Sequence, residues 1–426
     1  MFIYDLIEKK RSAMPLSDEE INYVVDAYVR DEINDAEMSA LLMAITVNGM
    51  TDDETYCLTK AMQNSGKTYK FDFESVDKHS TGGVGDSTSF IVVPTLAALG
   101  VKVTKMSGKS LGFTGGTIDK LKVFEGYDAE LDEKQYLSVV KECGCVIISQ
   151  SNDVAIADKK IYALRDKTAT VDSVPLIASS IMSKKLASGA NTILLDVKCG
   201  KGAFMKDIES ARALARLMVK IGKKDGKNIQ AAITNMDTPL SQGVGCNLEM
   251  YCVIKALQGV NSPLLELSKY LAARLYSMAK DVSYNEAYSL VVNAINSGES
   301  LRKFAQMITL CGGNIDAINN PEKLLVSDYV VKIVTHHDGC VSQIDAYKIA
   351  KLVNHLKESA TTDKQKRRTG VMLNVSLGDK IKNGDVLATV YSSSQIQIPQ
   401  IDELLDAIVL TNKYEPNYKL VLEAVK

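Results

Sequence analysis

The chain has 426 residues, 46% hydrophobic and 24% charged, with a formal net charge of −2. That length suits two or three domains around a large core, and that charge gives no electrostatic reason to expect nucleic acid or an anionic membrane as a partner. The opening MFIYDLIEKK holds acids and too short an apolar stretch for a signal peptide, and no run of about eighteen apolar residues could span a bilayer. A cytoplasmic location with reduced thiols is expected for the eight scattered cysteines. Cys143 and Cys145 lack zinc-ligand spacing, and the adjacent His336 and His337 point apart in a strand.

The first sixty-five residues predict a set of short packed helices. Ser17 with Glu20, Asn34 with Glu37 and Thr51 with Glu54 form three capping boxes at a spacing of seventeen residues. Ile21, Val24, Val25 and Tyr28, then Met38, Leu41, Leu42 and Ile45, follow with helical apolar spacing.

From Tyr69 the pattern changes to apolar runs alternating with helices, the signature of α/β layering. Residues 78 to 86 read KHSTGGVGD, placing a cation, an imidazole, hydroxyls and glycines ahead of the apolar run Phe90 to Val93. Glycines let backbone N–H groups approach a ligand closely, and Lys78 with Ser80 adds donors, so the loop suits a phosphate-sized anion at a helix N-terminus. A second loop, KMSGKSLGFTGGTIDKL from Lys105 to Leu121, follows the short strand Val101 to Val103. Neither loop has the spacing of a nucleotide-triphosphate or dinucleotide site. Each alone reads equally as a tight turn; the pair favours an anion site. Lys134 to Glu142 predicts a helix and Cys145 to Ile148 a strand.

Residues 158 to 185 gather Asp158, Tyr162, Arg165, Ser180, Lys184 and Lys185. On the helix after Pro175, Ser180 and Lys184 share a face. With Arg165 they suit a flat heterocycle carrying carbonyl acceptors, or they form a solvated basic helix end, which is the expectation for Lys185. A strand at Ile193 to Val197, a helix at Asp207 to Ile221 and a strand at Gln230 to Thr234 follow. From Tyr329 short β runs at 330–334, 370–375 and 386–391, with a helix near 346–357, predict a small antiparallel appendage; Glu358 to Arg368 reads as a polar surface loop. The expected fold is α/β, a mixed or parallel sheet flanked by helices, with a separate all-helical domain and a small C-terminal α+β subdomain. The expected boundaries are 1–67 for the helical domain, completed by about 158–190; 68–157 and 191–328 for the α/β domain; and 329–426 for the C-terminal subdomain.

The chain resembles the pyrimidine-nucleoside and thymidine phosphorylases over nearly its whole length. The resemblance rests on KHSTGGVGD, on SGxxLGxTGGTxDKL at Ser107 to Leu121, on ADKxxYALRDxTATVDSxPLI at Ala157 to Ile177, on DVKxGxGAFM at Asp196 to Met205, and on MDTPLSQGVG at Met236 to Gly245. It implies reversible phosphorolysis of a pyrimidine nucleoside by inorganic phosphate, giving free base and a pentose 1-phosphate, in a homodimer joined through the helical domain. It assigns phosphate to Lys78, Ser80, Ser89, Ser107 and Thr117, which Lys105 of the second loop is expected to join, and the pyrimidine to His79, Arg165, Ser180 and Lys184. His79, Arg165 and Lys184 are the expected catalytic residues, and Arg165→Ala is expected to damage turnover without unfolding the chain. Lysine at position 105 further implies action on uridine and deoxyuridine as well as thymidine. Family members share their glycine-rich loop and fold with anthranilate phosphoribosyltransferases, which makes the base-binding run the discriminating one.

Several positions depart from the family pattern. Lys109, Ser110, Phe113, Lys122 and Ile156 stand where arginine, glycine, histidine, glutamate and proline are usual. The resemblance also implies a potassium site from Gly85, Ser87, Leu240 and Gly243 with one carboxylate, but Cys252 stands at the carboxylate position. A thiol is a poor ligand for a hard cation, and Glu249, three residues earlier, is not expected to reach. Weakened or absent potassium binding and no required cofactor are therefore expected. A nucleoside-binding homologue that has lost turnover is the alternative reading.

Overall fold

The computed structural model describes residues 1–108, 115–414 and 417–426. The chain opens with α1 (Ile3–Arg11), α2 (Asp18–Val29), α3 (Asp35–Asn48) and α4 (Asp52–Asn64). All three expected capping boxes start helices: Ser17, Asn34 and Thr51 each accept an N–H from the glutamate three residues on, and each glutamate reaches back to the cap. The apolar faces of these helices bury Ile21, Val25, Met38, Leu41 and Ile45 in a core of their own. Ala157, Ile161, Leu164 and Leu176 close that core from a later part of the chain.

The α/β part begins with β1 (Ser75–Ser80), α5 (Ser89–Ala98), β2 (Lys102–Ser107), α6 (Thr117–Leu121), α7 (Glu133–Cys143) and β3 (Cys145–Ser149). The chain then returns to the helical domain as α8 (Ile156–Arg165) and α9 (Val174–Ala187). It re-enters the sheet as β4 (Thr192–Cys199), α10 (Ile208–Lys224) and β5 (Asn228–Asn235). β1 was not legible as a strand, because SVDKHS has few apolar residues. It is nonetheless buried, since Asp77 and Lys78 are both paired: Lys185 Nζ lies 2.6 Å from Asp77 and Lys78 Nζ 2.8 Å from Asp196. Opposite charges brought together in this way offset part of the large desolvation cost.

A short β6 (Gly243–Val244) leads into α11 (Cys246–Leu257), α12 (Pro263–Lys280), α13 (Tyr284–Asn296), α14 (Glu299–Leu310) and α15 (Asp316–Asn319). Leu264, Leu271, Val291, Phe304 and Met307 from this block pack with Phe90 to Val93 of α5 in the largest apolar cluster. The remainder comprises β7 (Tyr329–Val334), β8 (Gly339–Ile344), α16 (Ala346–Glu358), α17 (Asp363–Arg368), β9 (Gly370–Leu373), β10 (Lys380–Ile381), β11 (Val386–Ser392), α18 (Ile398–Ala407), β12 (Ile408–Thr411) and β13 (Val421–Val425). The expected loop at 358–368 instead contains α17, started by Thr362, whose hydroxyl accepts the Gln365 N–H at 3.2 Å.

The main sheet runs β13-β5-β4-β1-β2-β3. Its first five strands in the chain are parallel, and β13 is antiparallel to β5. The boundary at 329–426 is thereby corrected, because the last strand belongs to the α/β sheet. The other C-terminal strands form antiparallel sheets, and β6 joins one of them through β9.

Candidate active site

The carboxyl ends of β1, β2 and β4 face α8 and α9 of the helical domain across a cleft of about 310 Å³. Ser80, Gly82, Gly83, Asp86 and Ser89 line one side with Lys105, Ser107, Gly116 and Thr117. Tyr162, Arg165, Ser180, Ile181 and Lys184 line the other, and His79 and Lys185 also reach the cleft. The two glycine-rich loops and the helical pair are thus brought to one place. Gly82 has φ of 94° and Gly85 of 68°, which L side chains rarely adopt. A Cβ on Gly85 would stand 2.9 Å from the Ser241 nitrogen. Lys109, Ser110 and Phe113 lie outside the described residues.

Alternation along β1 places Lys78 and Ser80 on one face and Asp77 and His79 on the other. Lys78 does not reach the cleft wall. Its ammonium is wholly buried, 2.8 Å from Asp196 Oδ2 and 3.9 Å from Asp86 Oδ2, and it donates to Thr88 Oγ1 at 2.7 Å. Burial would lower its pKa, but Asp196 and Asp86 outweigh that and raise it above the usual lysine value. Lys198 shares both carboxylates, at 2.8 and 3.5 Å. Burial pushes the Asp86 carboxyl up, but Lys198, Lys78 and the hydroxyls of Ser80 and Thr88 win, holding it well below the carboxylate range.

On the other face, Asp77 bridges Lys185 at 2.6 Å and Lys105 at 3.8 Å. Lys105 also donates to the Lys78 carbonyl at 2.6 Å. Lys185 is therefore a buried part of the cleft and not the solvated helix end expected of it; tertiary pairing with Asp77 and a hydrogen bond to Met106 O at 3.0 Å offset that burial. Burial, reinforced by Lys185 and Lys78 against the pull of Asp77, brings the Lys105 pKa down to about 7. His79 Nε2 is buried without a hydrogen-bond partner. Burial and the ammonium groups of Lys185, Lys105, Lys78 and Lys184 hold its pKa well below the usual histidine value, so the ring is neutral.

On the helical wall, Lys184 Nζ lies 2.5 Å from Asp158 Oδ2 and donates to Ser180 Oγ at 3.0 Å. The expected sharing of a face is met, and Asp158 is the anchor that spacing alone did not single out. Arg165 lines the cleft but is 1% exposed, and its guanidinium is largely engaged elsewhere. Nε donates to Thr170 O at 3.2 Å, Nη1 to Leu176 O at 3.0 Å and Nη2 to Val171 O at 2.8 Å. Three of its five N–H groups hold the turn between α8 and α9, leaving one on each terminal nitrogen. These bonds add a cost in stability to the expected effect of Arg165→Ala.

Residues 4–66 match the helical bundle domain and residues 72–301 the a/b domain of the glycosyl transferase family; residues 340–411 match the pyrimidine nucleoside phosphorylase C-terminal domain. The chain is 42% identical over 416 residues to pyrimidine-nucleoside phosphorylases of Staphylococcus aureus strains MSSA476 and N315, covering 96% of this chain and 96% of each relative. The chain belongs to the pyrimidine-nucleoside phosphorylase family. The fold also matches anthranilate phosphoribosyltransferase from Thermus thermophilus, with a TM-score of 0.58 at 17% identity over 72% of this chain and 98% of that one.

The loops expected to hold potassium are occupied by other groups in this chain. Glu249 does reach the loop, contrary to expectation: its Oε2 accepts from Ser87 Oγ at 2.8 Å. The Lys120 ammonium, however, lies 2.6 Å from that carboxylate, 3.1 Å from Asp86 O and 3.3 Å from Ser87 Oγ. Burial raises the pKa of the Cys252 thiol, which keeps it protonated and uncharged. A lysine that already holds the carboxylate, with a neutral thiol beside it, does not fit a potassium ion coordinated through Gly85, Ser87, Leu240 and Gly243.

Proposed function

We propose that the chain catalyses reversible phosphorolysis of pyrimidine nucleosides, uridine and deoxyuridine as well as thymidine, to free base and pentose 1-phosphate. The observation that carries the reading is one cleft with hydroxyl- and glycine-rich loops on one wall and Ser180, Lys184 and Arg165 on the other. In this reading the phosphate dianion sits against Ser80, Ser89, Ser107, Thr117 and Lys105, and the flat base against the helical wall. A phosphate oxygen attacks the sugar carbon at roughly 3 to 3.5 Å as the C–N bond breaks. The bonding pair moves onto the pyrimidine ring. Lys184, the two remaining Arg165 N–H groups and a hydrogen bond from neutral His79 stabilise that charge. No enzyme carboxylate acts as nucleophile, because phosphate takes that part; the glycosidase plan differs.

The test mixes uridine, phosphate and protein and follows uracil. Phosphate-dependent release supports the reading, whereas tight nucleoside binding without release supports a protein that has lost turnover. Brisk thymidine cleavage with none of uridine would remove the broad-substrate part. With Lys120 set among the cradle oxygens, no metal is needed for turnover: equal rates in potassium and choline salts are expected, and a stoichiometric bound ion would contradict this.

The reading extends to a cytoplasmic homodimer. All eight cysteines are free thiols, and among the described residues no helix is long and apolar enough to cross a membrane. Phe2 and Tyr4 at α1 and Val47 on α3 are 72%, 64% and 74% exposed. Such apolar exposure on the helical domain supports a subunit contact there, which sedimentation of the native protein and of Tyr4→Glu would test.

A further inference from the structure

The run from Asp196 to Met205 has been given no task in the reaction, yet two of its residues, Asp196 and Lys198, sit directly behind the phosphate loop. Ser80 pairs with Asp196 in the β1–β4 register, and alternation puts Asp196 and Lys198 on the same face of β4. There they meet Lys78 and Asp86. Asp196 Oδ2 lies 2.8 Å from both ammonium groups, and Asp86 Oδ2 lies 3.9 Å from Lys78 and 3.5 Å from Lys198. The four groups carry two charges of each sign.

Asp86 presents a difficulty for any anion in this cleft. It lines the wall, and its Oδ2 accepts the Ser80 hydroxyl hydrogen bond at 2.5 Å, the same donor a phosphate oxygen needs. A carboxylate so placed repels a dianion unless it is neutralised. Lys78 alone cannot do this, because Asp196 shares it. Lys198 differs from Lys78 in its contacts. Lys78 also donates a hydrogen bond to Thr88 Oγ1 at 2.7 Å, whereas the contacts of the wholly buried Lys198 Nζ are its ion pairs with Asp196 and Asp86. It supplies the second positive charge that balances the two carboxylates.

We propose that Lys198 is a positioning residue for phosphate: with Lys78 it cancels Asp86 and Asp196, so that the Ser80–Ser89 loop accepts a dianion and Ser80 can turn its proton toward it. The inference rests on the reading of this loop as the phosphate site. It assigns the lysine of the DVKxGxGAFM run a task at the oxyanion, acting through Asp86 and not by contact.

The test is a charge-balance series read by calorimetric binding of inorganic phosphate, with KM values measured for phosphate and uridine. Lys198→Met leaves the cluster one charge negative; its phosphate Kd and phosphate KM should rise about tenfold or more, while the uridine KM stays within about twofold. Lys198→Met combined with Asp86→Asn restores neutrality and should return phosphate binding to within about threefold of the native protein. Asp196→Asn alone leaves the cluster one charge positive and should tighten phosphate about threefold or more, an arm that decides the matter if Lys198→Met does not fold. Unchanged phosphate binding in Lys198→Met, no recovery in the double variant, or weaker binding in Asp196→Asn overturns the proposal and leaves Lys198 as a purely structural ion. Native protein that binds phosphate but releases no uracil would overturn the catalytic reading alone, since the calorimetric series still reports on the cluster.

Discussion

His79 faces the cleft with Lys105, Lys184 and Lys185 around it, and burial together with those charges keeps its imidazole uncharged. In the proposed reaction it serves as a hydrogen-bond donor, and its ring NMR signals should show no titration at the usual histidine pKa of about 6.5. Lys105 is the group that titrates near neutrality. Its folded pKa of about 7 lies below an unfolded value of about 10.4. Between the two the unfolded chain holds a proton that the folded chain lacks, so this group favours folding increasingly as pH rises from about 7 to about 10.4. A phosphate dianion beside it reverses the balance. At about pH 8, phosphate binding should therefore take up protons, visible as a buffer-dependent calorimetric enthalpy, and Lys105→Met should abolish most of the uptake. Arg165 behaves differently. Arg165→Ala removes three hydrogen bonds to backbone carbonyls, two of them buried, and the expected loss is about 3 kcal/mol in urea unfolding. Arg165 and Lys185 were visible as residues, but not the carbonyls and the Asp77 carboxylate that engage them. Those partners lie on other elements, and no spacing along the chain encodes them.

At the scale of elements, the parts that could be read were those whose signal is local. A capping box lies within four residues, so the starts of α2, α3 and α4 were legible, as were β2 to β5 from their apolar runs. β1 was not, because its burial depends on ion pairs with α9 and β4. The loop after β1 depends on backbone shape as much as on its donors. Gly85→Ala would force a left-handed residue against Ser241. The loop must then shift, and phosphate KM should rise about tenfold while uridine KM changes little. Equal changes in both would show that the strain spreads beyond the loop.

The whole molecule places its cleft between a helical domain and an α/β domain that the chain visits alternately, α8 and α9 returning to the first after β3 has built the second. That much was legible from composition shifts along the chain. The return of the last residues to the central sheet was not, since Val421 to Val425 is a short run after a separate subdomain. Arg212 secures it, with Nη2 2.7 Å from Glu423, and Asn235 donates to Leu420 O at 2.9 Å. Removal of residues 421–426 would bare the edge of β5; a lower melting temperature and concentration-dependent aggregation are the expected result, checked by calorimetry and light scattering.

β13 also bears on how the protein is made. β5 is translated nearly 190 residues ahead of the strand that covers it, which at about 5–20 residues per second leaves its flank open for roughly 10–40 s on the ribosome. During synthesis, the nascent enzyme carries an unsheltered strand beside an otherwise assembled sheet, and its yield in the cell should be more sensitive to chaperone supply than that of a protein whose sheet closes early.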